Sequence, residues 1–118
     1  MRSDLERLQD IWQGINLIAE YTVAGKQSFA QNQLIQSGVL YQIIIIGEAA
    51  GDLAADLRSR HPEIPWRQII GMRNLVSHEY FRVDLEVVWL VVERDLPKLK
   101  VTVEAIFQEL GEEDNRDE

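Results

Sequence analysis

Apolar residues recur every three or four positions along most of the chain, which is the spacing of amphipathic helices rather than of strands. The pattern predicts four main helices, at residues 3–24, 30–60, 66 onward and about 84–110. Ser3 or Asp4 is suited to cap the first helix, and Pro65 and Asp84 suit the starts of the third and fourth. Pro97 is expected to kink or split the last helix. Helices joined by short connections predict an all-α bundle.

The run Ile43–Ile46 is the segment whose composition favours a strand, since β-branched residues suit pleated surfaces. The helical spacing continues on both sides of the run, so we predict that it lies inside the second helix. That helix is apolar around much of its circumference, which predicts a central position in the bundle. Gly47 and Gly51 are four residues apart on one face of it, and they are expected to let a neighbouring helix approach closely.

The chain has 118 residues and no cysteine, which predicts one domain without disulfides or thiolate metal sites and agrees with a reducing cytoplasm. We assign residues 1–111 to the helical domain and residues 112–118 to an acidic tail that is expected to be flexible. No secretory signal pattern is visible, and the apolar run Ile43–Ile46 is far too short to span a bilayer. The sequence therefore predicts a cytoplasmic protein with no membrane partner.

The charge of the chain is unevenly distributed. The formal net charge is -8, which argues against a broad nucleic-acid-binding surface because phosphate contacts need cations. Residues 112–118 hold five acidic residues and one arginine, whereas residues 58–82 hold five arginines and two glutamates. Two interpretations of this basic section stay open. It is either an ordinary solvated face or a local phosphate cradle that uses the guanidinium fork of arginine.

The residues best suited to chemistry lie in residues 66–84, where Arg73, Asn74, His78 and Tyr80 fall within eight positions. On a continuous helix Arg73 and Tyr80, seven residues apart, would share a face. Arg73 and His78 are five apart and would point roughly 140° away from each other. One straight helix would not bring both to the same small group. Either the helix ends near His78, or a second copy of the chain completes the site.

Structural interpretations of the same residues also stay open. Arg73 could simply pair with Glu48 or Glu79, a lone His78 could be a surface residue, and Tyr80 could belong to the core. In isolation each of these interpretations is at least as plausible as a catalytic one. The case for function rests on the occurrence of these residue types together.

One chemistry that these residue types could perform is cleavage of RNA by its own 2′-hydroxyl, which needs proton transfer and stabilisation of the phosphate. Histidine suits proton transfer near neutral pH, so His78 is assigned that role, and Arg73 is assigned the phosphate. Asn74 could hydrogen-bond the substrate or brace Arg73, and Glu48 is expected to brace the site from inside the bundle. We expect no cofactor and no metal, since the histidines, His61 and His78, do not form a ligand cluster with other side chains.

A second copy of the chain is expected for two reasons besides the helical spacing. One catalytic histidine supplies only half of an acid–base pair. Dimerisation would also cover Trp66 and Met72 on the third helix. We therefore predict a homodimer in which Arg73 and His78 of both chains line one cleft.

The spacing Arg73-x4-His78-x-Tyr80 resembles the R-x4-H-x-Y signature of HepT-like proteins, a branch of the HEPN superfamily. The surroundings resemble the family as well, and the likeness extends over nearly the whole chain: Ile46–Ala49, Pro65–Trp66, Phe81, Asp84 and Val88–Trp89. The resemblance implies a HEPN-like up-and-down helical bundle that dimerises and forms a metal-independent ribonuclease cleft at the interface. It also implies that Arg73 and His78 are catalytic, with Asn74 in support.

HepT-like toxins are paired with a small MntA-like nucleotidyltransferase antitoxin, which transfers AMP from ATP onto the tyrosine of the signature. The resemblance therefore implies a toxin–antitoxin endoribonuclease that cuts RNA, either tRNA by analogy with the family or mRNA, and is silenced by AMPylation of Tyr80. The alternative is a non-catalytic nucleotide- or protein-binding HEPN subunit, which would keep the dimer without cutting RNA. The presence of both Arg73 and His78 favours the ribonuclease.

Overall fold

All regular secondary structure in the described part of the chain is helical, as predicted. The computed structural model describes the backbone of residues 3–116 and the side chains of residues 3–110. The helices are α1 (Asp4–Tyr21), α2 (Lys26–Gln31), α3 (Gln33–Asp52), α4 (Ala55–Ser59), α5 (Trp66–His78), a 3-10 turn (Tyr80–Arg82), α6 (Leu85–Leu90), a π-helical turn (Val91–Asp95) and α7 (Leu96–Arg116). The predicted first helix corresponds to α1. Ser3 caps its N-terminus, because the Ser3 hydroxyl accepts a hydrogen bond from the Glu6 amide at 3.2 Å.

The predicted second helix, residues 30–60, is wrong as a single element, because it is divided into α2, α3 and α4. Asn32 adopts an extended backbone (φ -121°, ψ 107°), and its side chain accepts hydrogen bonds from the amides of Leu34 and Ile35. An asparagine side chain competes for these amides and favours a cap over a helix interior. Leu53 is likewise extended (φ -63°, ψ 147°) and separates α3 from α4. Residues 26–29, which the sequence pattern places in a short connection between the first two predicted helices, instead form part of α2, so that expectation is wrong.

The fourth predicted helix is split ahead of Pro97, as expected. The π-helical turn at Val91–Asp95 joins α6 to α7 without a break in the helical backbone. Proline has no amide hydrogen and its ring clashes with the carbonyl four residues earlier, so the turn before it widens. The helix then continues to Arg116, beyond the expected end at Leu110. Residues 112–116 of the predicted acidic tail are therefore helical, and residues 117–118 lie outside the described residues.

Helix α3 is the centre of the bundle, and it packs mainly against α1 and α5. The run Ile43–Ile46 lies within it as helix, which confirms that prediction. By length and composition α3 is apolar enough to cross a membrane, with a mean hydropathy of 1.3. A core helix meets the same criteria, and α3 also carries Glu48 and Asp52. We therefore assign it to the core.

The crossing of α3 and α5 is close enough to require glycine. A Cβ added at Gly47 would overlap the Cβ of Arg73 and would lie 3.0 Å from the carbonyl oxygen of Ile69. One turn further on, a Cβ at Gly51 would make only an ordinary contact, 3.8 Å from the Ile70 side chain. The predicted close approach is confirmed at Gly47. It sets the stem of Arg73 directly against the backbone of the central helix.

Candidate functional site

Helix α5 ends at His78, and the last candidate residue lies beyond it. The amide of Glu79 donates to the carbonyl of Leu75 at 2.8 Å, and the chain then enters the 3-10 turn that begins with Tyr80. The expected alignment of Arg73 with Tyr80 on one helical face is therefore wrong, because it required the helix to continue. Arg73 and His78 do lie in the same helix and keep their angular separation of roughly 140°.

The guanidinium of Arg73 is held by two polar neighbours. Its Nη1 donates to Asn74 Oδ1 at 3.0 Å, and its Nη2 lies 3.8 Å from Glu48 Oε1. The Nε atom is buried and has no hydrogen-bond partner. The expected ion pair with Glu48 is present, but the interpretation of Glu48 as a brace inside the bundle is wrong. Its side chain is 60% exposed because it projects from the outer side of α3.

Asn74 draws the head group of Arg73 toward the face that carries His78. Asn74 and His78 are four residues apart and lie on the same side of α5, as do Arg67 and Gly71. All four are exposed. The hydrogen bond from Arg73 Nη1 to Asn74 therefore narrows the angular gap between the two candidate catalytic side chains. Asn74 braces Arg73, which was one of its two expected roles.

The side chain of His78 is exposed at the end of α5 and makes no hydrogen bond or ion pair with any residue that the structure describes. Tyr80 is 44% exposed, so the interpretation as a core residue is wrong. Its Oη lies 3.3 Å from Ser37 Oγ on α3, and its ring meets that of Phe81 edge-on with centroids 5.6 Å apart. The imidazole and the phenol are thus both accessible from solvent.

The arginines of residues 58–82 do not form one cradle. Arg58 and Arg60 lie on or beside α4, where the Nε1 of Trp66 donates to the Arg58 carbonyl at 3.1 Å. Trp66 begins α5 and His78 ends it, so the two ends are about 18 Å apart at 1.5 Å per residue. Arg60 also lies 3.8 Å from Asp56. Only Arg73 and Arg82 belong to the His78 end, and the phosphate site that remains is small.

A groove between α1 and α3 has a volume of about 630 Å³ and does not include Arg73. Its charged lining residues are Arg7, Asp10, Glu48 and Asp52. A groove with this excess of carboxylates repels a polyanion, so we do not assign RNA to it. Among the described residues, no group of three or more His, Cys, Asp or Glu side chains is placed to hold a metal ion.

Trp66 and Met72 do not need a second chain to cover them. They are only 9% and 8% exposed in the single chain, because both face the core of the bundle. That reason for expecting a dimer is wrong. Gly71 provides a different indication, since it lies mid-helix on the exposed face and a Cβ there would meet nothing within 4 Å. A glycine in such a position lowers helix stability by about 1 kcal/mol without any benefit within the chain.

Sequence reasoning missed Ser37 and gave Phe81 no role at the site. Ser37 reaches Tyr80 across a separation of 43 residues, and no spacing in the sequence signals such a contact. Phe81 is 98% exposed, the highest value among the large hydrophobic residues of the described region. A phenylalanine in an apolar segment is ordinarily assigned to the core, so its exposure emerges only from the fold.

Comparison with known proteins gives matches that are described as ribonucleases. The family described as "Ribonuclease HepT-like" matches residues 11–106. A probable ribonuclease HepT of Thermococcus cleftensis is 40% identical over 100 residues, covering 84% of this chain and 91% of its own length. A candidate RNase of Methanocaldococcus jannaschii is 35% identical over 100 residues, covering 84% of this chain and 92% of its own length.

A longer protein of Methanocaldococcus jannaschii is 38% identical over 117 residues, or 98% of this chain. Its name pairs a gamma-glutamylcyclotransferase with a candidate RNase, and this chain spans only 53% of its length. No solved structure gave a significant match.

Proposed function

The chain belongs to the HepT-like ribonuclease family, and on that premise we propose that it is a metal-independent endoribonuclease that acts on RNA in the cytoplasm. The observation that carries the proposal is the arrangement at the end of α5. There, Asn74 turns the Arg73 guanidinium toward the face of an exposed His78 that has no partner among the described residues. A guanidinium and an imidazole on the last turns of one helix are the types of group that suit 2′-hydroxyl attack.

In this mechanism the 2′-oxygen attacks the adjacent phosphorus while His78 removes its proton. The bond from the 2′-oxygen to phosphorus forms and the bond to the 5′-oxygen breaks, leaving a 2′,3′-cyclic phosphate and a 5′-hydroxyl. The Arg73 guanidinium donates to the non-bridging oxygens, where charge increases in the transition state. The leaving 5′-oxygen needs a proton, and a single chain has no second histidine at this site.

A homodimer would provide the missing proton donor, and we propose that two copies pack through the exposed face of α5. The residues on this face are Arg67, Gly71, Asn74 and His78. The open space at Gly71 supports the proposal, because a glycine there permits close approach of a second helix backbone. Two such faces related by a two-fold axis would bring two copies of His78 into one cleft, so that one imidazole acts as base and the other as acid.

We further propose that the chain is the toxin of a toxin–antitoxin pair and that AMPylation of Tyr80 by an MntA-like nucleotidyltransferase silences it. The 44% exposure of Tyr80 supports this, because a transferase must reach the phenol oxygen. The phosphate of the attached AMP would compete for the donors of Arg73, and tethering gives it a high effective concentration. The contact of Tyr80 Oη with Ser37 would have to break on modification.

The test is cleavage of an unstructured RNA and of its DNA counterpart in EDTA, with the products identified by mass spectrometry. We expect RNA alone to be cut, leaving 2′,3′-cyclic phosphate ends. His78→Ala should abolish cleavage without loss of stability, because the side chain is exposed and unpartnered in the described structure. Arg60→Ala is the matched control, since it removes an exposed cation of the same basic section that lies beside α4 rather than on α5, and it should leave cleavage intact.

Cleavage of DNA, cleavage that survives in His78→Ala, or activity that appears only with added Mg²⁺ would each contradict this mechanism. A folded dimer that binds RNA without cutting it would instead favour the non-catalytic binding subunit.

A further inference from the structure

Phe81 occupies an unusual position for a large apolar side chain. It is 98% exposed and lies in the 3-10 turn that directly follows His78. The turn is closed by a hydrogen bond of 2.8 Å from the Arg82 amide to the Glu79 carbonyl. The ring contacts the edge of the Tyr80 ring at an interplanar angle of 85°. This contact orients the phenyl ring while most of its surface remains open to solvent.

Apart from the ring of Tyr80, the exposed side chains next to Phe81 in the segment Glu79–Asp84 are charged. Glu79, Arg82 and Asp84 are all exposed on the same short segment. Arg82 makes no ion pair with any residue that the structure describes. An interface with a second copy would need an apolar patch that continues beyond one ring, with few charged groups at its centre. A small aromatic site, with one ring almost fully exposed beside an arginine that has no ion pair among the described residues, fits a flat partner with a negative charge next to it.

We infer that Phe81 is a stacking platform for an unpaired base of the RNA, with Arg82 contacting the neighbouring phosphate. The inference rests on the proposed function and names its substrate class, single-stranded RNA. Every base offers a flat face to an aromatic ring, but only an unpaired and unstacked base can present it. Because Phe81 is three residues from His78, the stacked base belongs to a nucleotide at or beside the scissile phosphate.

The first measurement is binding, which does not depend on cleavage. The probe is a fluorescently labelled, unstructured 2′-O-methyl RNA, which lacks the attacking hydroxyl and so cannot be cut. Anisotropy gives its Kd for the wild type and for Phe81→Ala, Phe81→Leu and Phe81→Trp. Loss of one base stack should raise the Kd of the Ala variant by roughly 5- to 150-fold. The Leu variant should bind nearly as weakly as the Ala variant, since leucine keeps apolar bulk but has no aromatic face. The Trp variant should restore binding.

The second measurement tests whether Phe81 contacts a base of the RNA. The same probe is prepared with abasic positions, and its Kd is measured with the wild type and with Phe81→Ala. If the ring stacks on a base, replacing Phe81 and removing the base should each weaken binding. Making both changes together should weaken binding little more than either change alone. Annealing the probe to a complementary strand should abolish the difference between wild type and Phe81→Ala. Val101→Ala is the matched control, because Val101 is 70% exposed on α7 and lies outside the site.

Wild-type affinity in Phe81→Ala, full rescue by Leu, or additive losses with the abasic probe would each overturn the inference. A change in oligomeric mass of Phe81→Ala in light scattering would overturn it as well and assign the ring to contact with a second copy. Failure of the proposed function is a separate result. If wild type binds the single strand through Phe81 but never cuts unmodified RNA, stacking stands and the nuclease mechanism does not. If RNA is cut and Phe81→Ala binds normally, the nuclease mechanism stands and the stacking inference does not.

Discussion

The substitution Gly47→Ala tests how the fold positions Arg73. The added Cβ would overlap the Cβ of Arg73, and it would lie 3.0 Å from the backbone oxygen of Ile69 and 3.1 Å from Arg73 Cγ. These atoms belong to the backbone of α5 or to the stem nearest it, so no flexible side-chain end can move aside. Carbon atoms pack at about 3.5–4.0 Å, so the two helices must separate by about 1 Å or more at this crossing.

The magnitude follows from two opposing terms. Overpacking costs about 1–3 kcal/mol, and we expect the upper half of that range, about 2–3 kcal/mol, because no flexible side-chain end can move aside here. Replacing a glycine in a helix interior with alanine returns about 1 kcal/mol through helix propensity. We expect a net loss of about 1–2 kcal/mol, which for a domain of this size lowers Tm by roughly 4–10 °C. The effect on catalysis should be larger, since a displacement of about 1 Å of a catalytic group can reduce the rate by about 100-fold.

Gly51→Ala is the matched control. It lies one turn further along the same helix, and its new Cβ would be 3.8 Å from Ile70 Cγ2, an ordinary contact. We expect its Tm to be unchanged or raised by a few degrees and its cleavage to be normal. Thermal unfolding by circular dichroism, with single-turnover cleavage well below Tm, measures both variants. A Gly47→Ala protein that melts at or above the wild type, or an equal loss in Gly51→Ala, would refute the close-crossing argument.

Three further predictions concern α5 and the turn after it. Asn74→Ala frees Arg73 Nη1 and should lower kcat by about 10-fold while KM changes little. Steady-state cleavage measures both constants, and a change confined to KM would assign Asn74 to substrate binding instead. Gly71→Ala should weaken the dimer in light scattering, and Gly71→Trp should convert it to a monomer and abolish cleavage, because the added side chain occupies the space into which the second helix would pack. An intact dimer in the Trp variant would place the interface elsewhere. Tyr80→Phe should still cut RNA but should gain no AMP-sized mass after incubation with the cognate nucleotidyltransferase, ATP and Mg²⁺. An AMP adduct on that variant would move the modification to another residue.

The periodic features of the fold were predictable from the sequence, and the breaks between helices were less so. The spacing of apolar residues placed Ile43–Ile46 in a helix against their strand propensity, and the structure confirms it. The break at Asn32 depends on a side chain that competes with the backbone for two amides, which apolar spacing does not register. The extended conformation of Leu53 has no such local cause, and its side chain is buried in the core at 3% exposure.

The site was predictable in its residue types but not in its arrangement. Spacing alone gave the separation of Arg73 from His78 around α5, and it could not show that Asn74 holds the guanidinium. The contact between Ser37 and Tyr80 joins two segments that only the tertiary fold brings together. The same holds for the basic section, whose arginines are divided between the two ends of α5 because a straight helix separates residues that are near in sequence.

An acidic chain can act on RNA if one phosphate, rather than a broad surface, provides the electrostatic contact. Glu48 holds Arg73 through a long pair of 3.8 Å with a 60% exposed carboxylate, and such exposed pairs contribute about 0–1 kcal/mol. Charge-assisted hydrogen bonds contribute about 1.5–3 kcal/mol, so we expect that a bound phosphate would displace the carboxylate. Glu48 therefore restrains the guanidinium without blocking it, and the stem fixed against Gly47 limits how far the head group moves. With few phosphate contacts, affinity for RNA should depend weakly on salt, and selection must come from contacts to bases.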